Sequence, residues 1–169
     1  IVANEFDLVN INGEELVTNY ISHRLKSGII IGFEFIKEKN VIGFSNSAFR
    51  AELIPEKLSI PQDVAVVDWF FYTLLLHAGH KAVFSNEMIT YYRQYSDNMI
   101  GINNETLDNY KKKLALKAMH YRYLSSSFTE FEELAKKYSK EKNLTDIQVS
   151  TLLQNNKITY PLWWENIKI

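Results

Sequence analysis

An apolar segment with a helical repeat, residues 64–78, constrains this chain more than any other part of its sequence. Its large side chains recur at spacings of three and four residues, which predicts an α-helix. They are Val67, Phe70, Phe71, Leu74 and Ala78. Other apolar residues fill much of the remaining circumference, so this helix is predicted to be buried on most sides. Gly79 follows as a natural C′ residue and predicts the end of the helix.

One carboxylate, Asp68, lies in the first turns of this predicted helix, next to Trp69. Two interpretations are open. Asp68 either complements the helix dipole, or it borders a polar cavity and acts as a base. Burial among aromatic side chains raises the pKa of a carboxyl group, which makes it a better general base. For Asp63, five residues earlier, the sequence favours a capping role at the start of the helix.

Two strand-like runs, residues 80–85 and 88–93, follow the helix and end at Arg93. Apolar and aromatic residues alternate in both runs, which is typical of β-strands. An arginine at a strand end between aromatic residues suits either a phosphate group or an ion pair to a buried acid such as Asp68.

Four short motifs occur in a fixed order between residues 43 and 98. They are Gly-Phe-Ser-Asn-Ser-Ala-Phe-Arg (residues 43–50), Asp-Trp (68–69), Gly-His-Lys (79–81) and Tyr-Arg-Gln-Tyr-Ser-Asp-Asn (92–98). This series resembles the C-terminal half of a family-two glycosyltransferase of the GT-A fold, of the bacterial cell-surface polysaccharide type. The resemblance covers roughly residues 1–101. It implies an α/β protein with a partial GT-A-like fold for nucleotide-diphospho-sugar transfer, followed by a helical C-terminal extension.

The resemblance also implies a reaction and its residues. A sugar would pass, with inversion, from a nucleotide-diphosphate donor to an acceptor hydroxyl, in cell-surface polysaccharide synthesis. Asp68 would be the catalytic base, and Trp69 would shape the acceptor side. Arg93 would help to hold the diphosphate or to order the loop beside it.

Two further substrate-binding residues follow from the same comparison. Asn46 would bond sugar hydroxyl groups, although capping of a predicted helix over residues 45–53 is at least as good an explanation. Tyr95 stands where the family often has a histidine that is a candidate metal or diphosphate ligand. The Tyr95 phenol would hydrogen-bond a phosphate oxygen instead.

A divalent cation, Mn or Mg, is expected for the full-length enzyme, but the sequence contains no ligand set for it. The family's Asp-x-Asp motif is absent from the 169 residues. Glu5 and Asp7 share one face of a predicted strand over residues 1–9, and we favour a solvated face there over a metal site. The chain begins with Ile, so the donor-binding half is expected upstream. The fragment alone is expected to be inactive.

Beyond residue 101 the pattern becomes helical. Helices are predicted over residues 105–124, 128–142 and 146–154, the last capped by Thr145. We therefore predict an acceptor-side domain over residues 1–101 and a helical extension over 102–169 packed on it. His120 is predicted to be a partly buried helix residue. Weak helical periodicity also marks residues 14–26.

Composition excludes several classes of function. A net charge of −1 argues against a nucleic-acid partner, and the lack of cysteine excludes disulfide scaffolds and thiol nucleophiles. No run reaches the ~18 apolar residues of a membrane span. Trp163 and Trp164 are predicted to pack on a core edge, with an interface or membrane surface as the alternatives.

The expected partners are a nucleotide-sugar donor and a saccharide or lipid-linked acceptor. Peripheral membrane contact and a homodimer through the C-terminal helices are further expectations. The expected location is cytoplasmic, at the inner face of the cell membrane. The competing class is a non-catalytic interaction module derived from the same fold.

Overall fold

The computed structural model describes residues 1–95, 106–156 and 158–165, which form a mixed α/β structure. The predicted fold class is confirmed at this level. The chain divides into two compact units. The first comprises residues 1–58, 71–102 and 159–166, and the second comprises residues 59–70, 103–158 and 167–169. The boundary near residue 101 that the sequence suggests stays a prediction.

Strand β1 (Val2–Val9) is the centre of the sheet in the first unit. It pairs in parallel with β5 (Ala82–Arg93), and antiparallel with β2 (Glu15–Val17) and β4 (Ser47–Ala48). β3 (Ile30–Ile31) pairs antiparallel with the start of β5. From its fourth residue onward β1 is buried on both faces, as expected for a strand with neighbours on each side.

β5 is a single twelve-residue strand where the sequence predicts two separate runs. Asn4 of β1 pairs with Ser85, but the next β1 residue, Glu5, pairs with Ile89. Residues 86–88 therefore have no counterpart on β1 and form an irregularity within the strand. The first predicted run ends just before this irregularity, and the second begins at its last residue, Met88.

Two helices predicted in the N-terminal half are wrong. Residues 14–26, all described, contain β2 and one 3₁₀ turn (Ile21–His23). Residues 45–53 contain β4, the end of one 3₁₀ turn (Phe44–Asn46) and the whole of another (Ala51–Leu53). In residues 14–26 backbone N–H groups bond to the carboxylates of Glu5 and Asp7, and in residues 45–53 Ser47 and Ala48 pair with β1. Those tertiary bonds override a weak local helical tendency.

Helix α2 (Val67–His77) confirms the strongest helix prediction, and a short helix α1 (Phe33–Ile36) precedes it. α2 ends in a Schellman motif. The Gly79 N–H donates to Leu76 O at 3.1 Å, and the His80 N–H donates to Leu75 O at 3.2 Å. Gly79 has φ 94°, a left-handed conformation that favours glycine.

Three helices form most of the second unit: α3 (Leu107–Ser125), α4 (Glu132–Glu141) and α5 (Asp146–Gln154). Thr106 caps α3 by accepting from the Asn109 N–H. Thr145 and Gln148 form a reciprocal capping box at the start of α5, as the Thr145 prediction required. The rings and aliphatic chains between these helices are buried. They are Tyr110, Leu114, Tyr121, Leu124, Phe131, Tyr138 and Val149.

The C-terminal segment, residues 159–165, belongs to the first unit. The Trp163 ring stacks on Phe6 of β1 at a centroid distance of 5.1 Å and an interplanar angle of 11°. The Asn40 N–H donates to Trp163 O at 2.6 Å, and the Tyr20 phenol donates to Pro161 O at 2.9 Å. The prediction that the tryptophan pair packs on a core is confirmed. Among the described residues, no helix is long and apolar enough to cross a lipid bilayer.

Candidate functional site

Asp68 is the second residue of α2 and is half-buried. Its Oδ1 accepts the Trp69 N–H at 2.6 Å, which holds the carboxylate at the N-terminal end of the helix. Burial raises the pKa of Asp68, and hydrogen bonds from the backbone N–H groups of Trp69 and Asp68 oppose that rise. In the described part of its unit, no basic side chain lies within salt-bridge distance of this carboxylate. Among the described residues of its unit, Asp68 is therefore a desolvated acid with no ion-pair partner.

Trp69 is fully buried and does not present a face to solvent. Its indole stacks on the His120 imidazole of α3 at 3.9 Å and 8°, and it meets the Tyr121 ring edge-on at 5.7 Å. The prediction that Trp69 shapes the acceptor side by contact is not supported. Its ring instead anchors the first turn of α2 to α3, which fixes the backbone that carries Asp68.

His120 is fully buried, whereas the sequence predicts partial burial. Among the described residues neither ring nitrogen has a hydrogen-bond partner. Burial lowers the pKa of His120 to about 3, and the positive charge of Lys117, one turn earlier, lowers it further. His120 is therefore neutral at physiological pH. The signal that could have revealed its burial is the spacing of Lys117, His120 and Leu124 on one face of α3.

Asp63 does not cap α2, contrary to the prediction, because the helix begins four residues later at Val67. Both carboxylate oxygens of Asp63 accept from the Tyr123 phenol, and Arg122 Nη2 lies 3.8 Å from Oδ2. Asp63 is an exposed residue, so it lacks the desolvation that distinguishes Asp68.

Asn46 lies in the first unit and is completely buried, with its amide bonded to the backbone on every side. Its Oδ1 accepts the Gly43 N–H at 2.7 Å, and its Nδ2 donates to Asn4 O at 2.8 Å and Val41 O at 3.0 Å. These bonds tie the 3₁₀ turn to β1. Neither amide atom is available to a sugar hydroxyl, so the predicted ligand contact is corrected to a structural one.

Arg93 and Tyr95 lie together at the carboxyl end of the parallel pair β1–β5. Arg93 is the last residue of β5, is exposed, and pairs with Val9 of β1. Tyr95 is 50% exposed. In open α/β sheets, ligands bind in the crevice outside the carboxyl ends of the strands, and the binding role predicted for Arg93 and Tyr95 stays a prediction. The first unit thus contains Arg93 and Tyr95, and the second contains Asp68 and Trp69.

The predicted solvated face of Glu5 and Asp7 is wrong, because both carboxylates are buried. Glu5 Oε1 accepts the N–H groups of Phe6 at 2.9 Å and Ile21 at 2.7 Å, and Oε2 accepts that of Ser22 at 2.8 Å. Asp7 Oδ1 accepts the Asn19 N–H at 2.6 Å. These oxygens anchor a backbone turn and do not suit a metal ion.

The described residues contain no group of three or more His, Cys, Asp or Glu side chains that could hold a metal. The divalent cation expected for the full-length enzyme remains a prediction. No known protein provides an assignment, since no family model, curated protein or solved structure matches the chain. The fold defines a mixed α/β protein.

Proposed function

We propose that this chain is the acceptor-side part of an inverting glycosyltransferase, with Asp68 as the general base. The main support for the proposal is the environment of the Asp68 carboxylate. The carboxylate is held by a backbone N–H at the start of a buried helix, has no cation beside it among the described residues of its unit, and has a raised pKa. Desolvated acids of this kind are typical of sites that transfer protons.

The chemistry requires few groups. The acceptor hydroxyl passes its proton to the Asp68 carboxylate as its oxygen attacks the anomeric carbon of the donor sugar. The bond from the anomeric carbon to the diphosphate breaks, and the nucleotide diphosphate leaves with the electron pair. A raised pKa makes Asp68 a stronger proton acceptor than an ordinary carboxylate.

Arg93 and Tyr95 are proposed to stabilise the leaving diphosphate. A guanidinium can form two parallel hydrogen bonds to phosphate oxygens, and a phenol can donate one more. The proposed donor is a nucleotide-sugar and the proposed acceptor is a saccharide or a lipid-linked sugar. The divalent cation and the nucleoside pocket are proposed to come from residues outside this chain.

The Asp68→Asn variant, made in the full reading frame that contains this chain, tests the proposal. We expect kcat to fall by about 10²- to 10⁴-fold, because the amide cannot accept the proton. Sugar transfer from uridine and thymidine diphosphate-sugars with manganese is the measurement. Asp63→Asn is the matched control and should keep its rate within about twofold, since Asp63 is exposed. A folded Asp68→Asn protein that transfers sugar at near the parent rate would remove Asp68 from the mechanism.

The pH dependence supplies a second test of the same assignment. Because the pKa of Asp68 is raised, the base becomes protonated at a higher pH than an ordinary aspartate, whose pKa is about 3.9. The pKa that governs the fall of kcat/KM on the acid side should therefore lie above the ordinary aspartate value. An acid limb at or below the ordinary aspartate value would contradict the role of Asp68.

The alternative, a non-catalytic interaction module, is favoured by the lack of a metal ligand set among the described residues and by the internal roles of Asn46 and Trp69. Nucleotide-sugars with manganese would then leave the melting temperature of the full reading frame unchanged. Clear stabilisation of the full reading frame by a nucleotide-sugar would exclude this alternative.

A further inference from the structure

His120 of α3 packs on the turn of α2 that contains Asp68. Its imidazole lies flat on the Trp69 indole, with a centroid distance of 3.9 Å and an interplanar angle of 8°. The same imidazole meets the Phe70 ring edge-on, at 5.8 Å and 87°. Trp69 and Phe70 are the two residues that follow Asp68, and all four residues belong to the second unit. His120 therefore contacts the chain immediately next to the carboxylate.

In the described part of the chain, His120 is held by ring contacts and not by hydrogen bonds. Both ring nitrogens are buried and have no hydrogen-bond partner there. A further contact is with Tyr121, edge-on at 5.1 Å, and the Tyr121 ring in turn stacks on Tyr138 of α4 at 5.0 Å and 18°. The position of the imidazole is thus fixed by packing, and any role of His120 must depend on its ring.

The contact reaches Asp68 through the Trp69 backbone. The Trp69 N–H donates to Asp68 Oδ1 at 2.6 Å, and this bond fixes one oxygen of the carboxylate. Because the Trp69 ring is held against His120, the backbone to which it is attached is restrained as well. Proton transfer is sensitive to such restraint, since a displacement of about 1 Å can cost about 10²-fold in rate.

We infer that His120 is a positioning residue for Asp68. Its neutral ring holds Trp69, the Trp69 N–H holds the carboxylate in the geometry of proton transfer, and the packed rings keep water away from this turn. The inference rests on the proposed function, because the position of Asp68 matters for sugar transfer only if Asp68 is the base. It goes beyond that function by giving a role to a residue of α3, outside the helix that contains the base.

The charge state of His120 supports this role. Burial lowers the pKa of His120 to about 3, and the Lys117 ammonium one turn earlier lowers it further. Lys117 is itself buried, with its Nζ 5.1 Å from the centroid of the Tyr138 ring. A neutral imidazole stacks in an apolar core without the desolvation cost of a charged one. The stack on Trp69 is therefore independent of pH across the neutral range.

His120→Ala, made in the full reading frame that contains this chain, tests the inference through two readouts. We expect kcat for sugar transfer to fall by about 10- to 100-fold with KM within about twofold, because the base is displaced while substrate contacts remain. NMR of the aspartate carboxyl carbons gives the second readout. The pKa of Asp68 should move down towards the ordinary aspartate value, because water enters beside the helix. His120→Phe should restore both values, since a ring again lies on Trp69.

Val149→Ala is the matched control, because it removes a buried side chain from α5 in the same unit, and it should change neither readout. Where His120→Ala does not fold, His120→Leu fills the space without a planar face and should show the same two changes. A folded Ala or Leu variant with the parent kcat and the parent pKa of Asp68 would overturn the inference. A His120→Phe variant as impaired as His120→Ala would also overturn it, since the ring would then not be the active feature.

The double variant with Asp68→Asn separates this inference from the proposed function. In that background His120→Ala should lower kcat by less than about twofold, because positioning acts through the missing carboxylate. A further large loss would overturn the inference even where Asp68 is the base. Near-parent activity of Asp68→Asn alone would instead reject the proposed function. The pKa of Asp68 in the His120 variants would then still show whether His120 holds this carboxylate.

Discussion

Burial decides what the ionisable side chains of this protein can do. Asp68 is half-buried and its pKa is raised, while His120 is fully buried and its pKa is lowered to about 3. Both changes have the same cause, since a less polar surrounding disfavours the charged form of any group. Glu5 is also buried, but three backbone N–H groups bind its carboxylate.

His120 should make the protein less stable in acid. The pKa is about 3 in the folded state and about 6.5 when unfolded, so between these values the unfolded chain binds more protons. The free energy of unfolding should therefore fall by about 1.4 kcal/mol for each pH unit below 6.5, from this residue alone.

Urea unfolding at a series of pH values between about 4 and 7 measures this slope. His120→Phe keeps a ring against Trp69 and removes the titrating group, so its slope should be smaller than that of the parent. Equal slopes in the two proteins would show that other groups set the acid sensitivity.

Sequence reasoning at this scale identified Asp68 at the start of α2, because helix period and neighbouring aromatic residues are local signals. It missed the true partners of Asn46 and Asp63. Those partners, Asn4 and Tyr123, are 42 and 60 residues away in the chain. No local pattern encodes such contacts.

Elements with clear end signals were predicted well, and elements held by tertiary bonds were not. α2, α3 and α5 have a glycine stop or a threonine cap, and their positions follow from the sequence. The turn at Ile21–His23 exists because Glu5 binds its N–H groups from another strand. A helical tendency over residues 14–26 cannot compete with those bonds.

Gly79→Ala should destabilise the protein through the backbone alone. Nothing lies within 4 Å of the added Cβ, but φ at this position is 94°, which side chains rarely adopt. The expected loss in the free energy of unfolding is about 1–2 kcal/mol, measured in urea. Gly32→Ala is the matched control, because it also adds a Cβ into open space but without the left-handed φ. Equal effects at both glycines would contradict the conformational explanation.

At the scale of the whole molecule, residues 159–165 pack against elements of the N-terminal part of the sequence within the first unit. Trp163 stacks on Phe6, and Arg24 binds Glu165 through both guanidinium arms at 2.9 and 3.0 Å. The mixed α/β class follows from the order of apolar patterns in the sequence. The return of residues 159–165 to the first unit does not, because it depends on contacts 141 residues apart.

Trp163→Ala should destabilise the first unit strongly. The substitution removes the stack on Phe6 and leaves a cavity beside Gly43. The Trp163 indole lies so close to Gly43 that a Cβ atom built on this glycine would be only 2.9 Å from the ring. Losses of about 3–5 kcal/mol are typical of such changes. Ile147→Ala, at an exposed position, should change the free energy of unfolding by less than about 0.5 kcal/mol. Similar values for the two variants would show that the C-terminal segment contributes little.

This contact also dictates when the protein can finish folding during its synthesis. Ribosomes add about 5–20 residues per second, and early segments usually fold first. Here β1 cannot be completed as soon as it is made, since Phe6 receives its indole only after residue 163 has been made. The nascent chain must therefore carry an uncovered aromatic surface at Phe6 while residues 7–162 are made, and chaperones that bind such surfaces can act on it during that time.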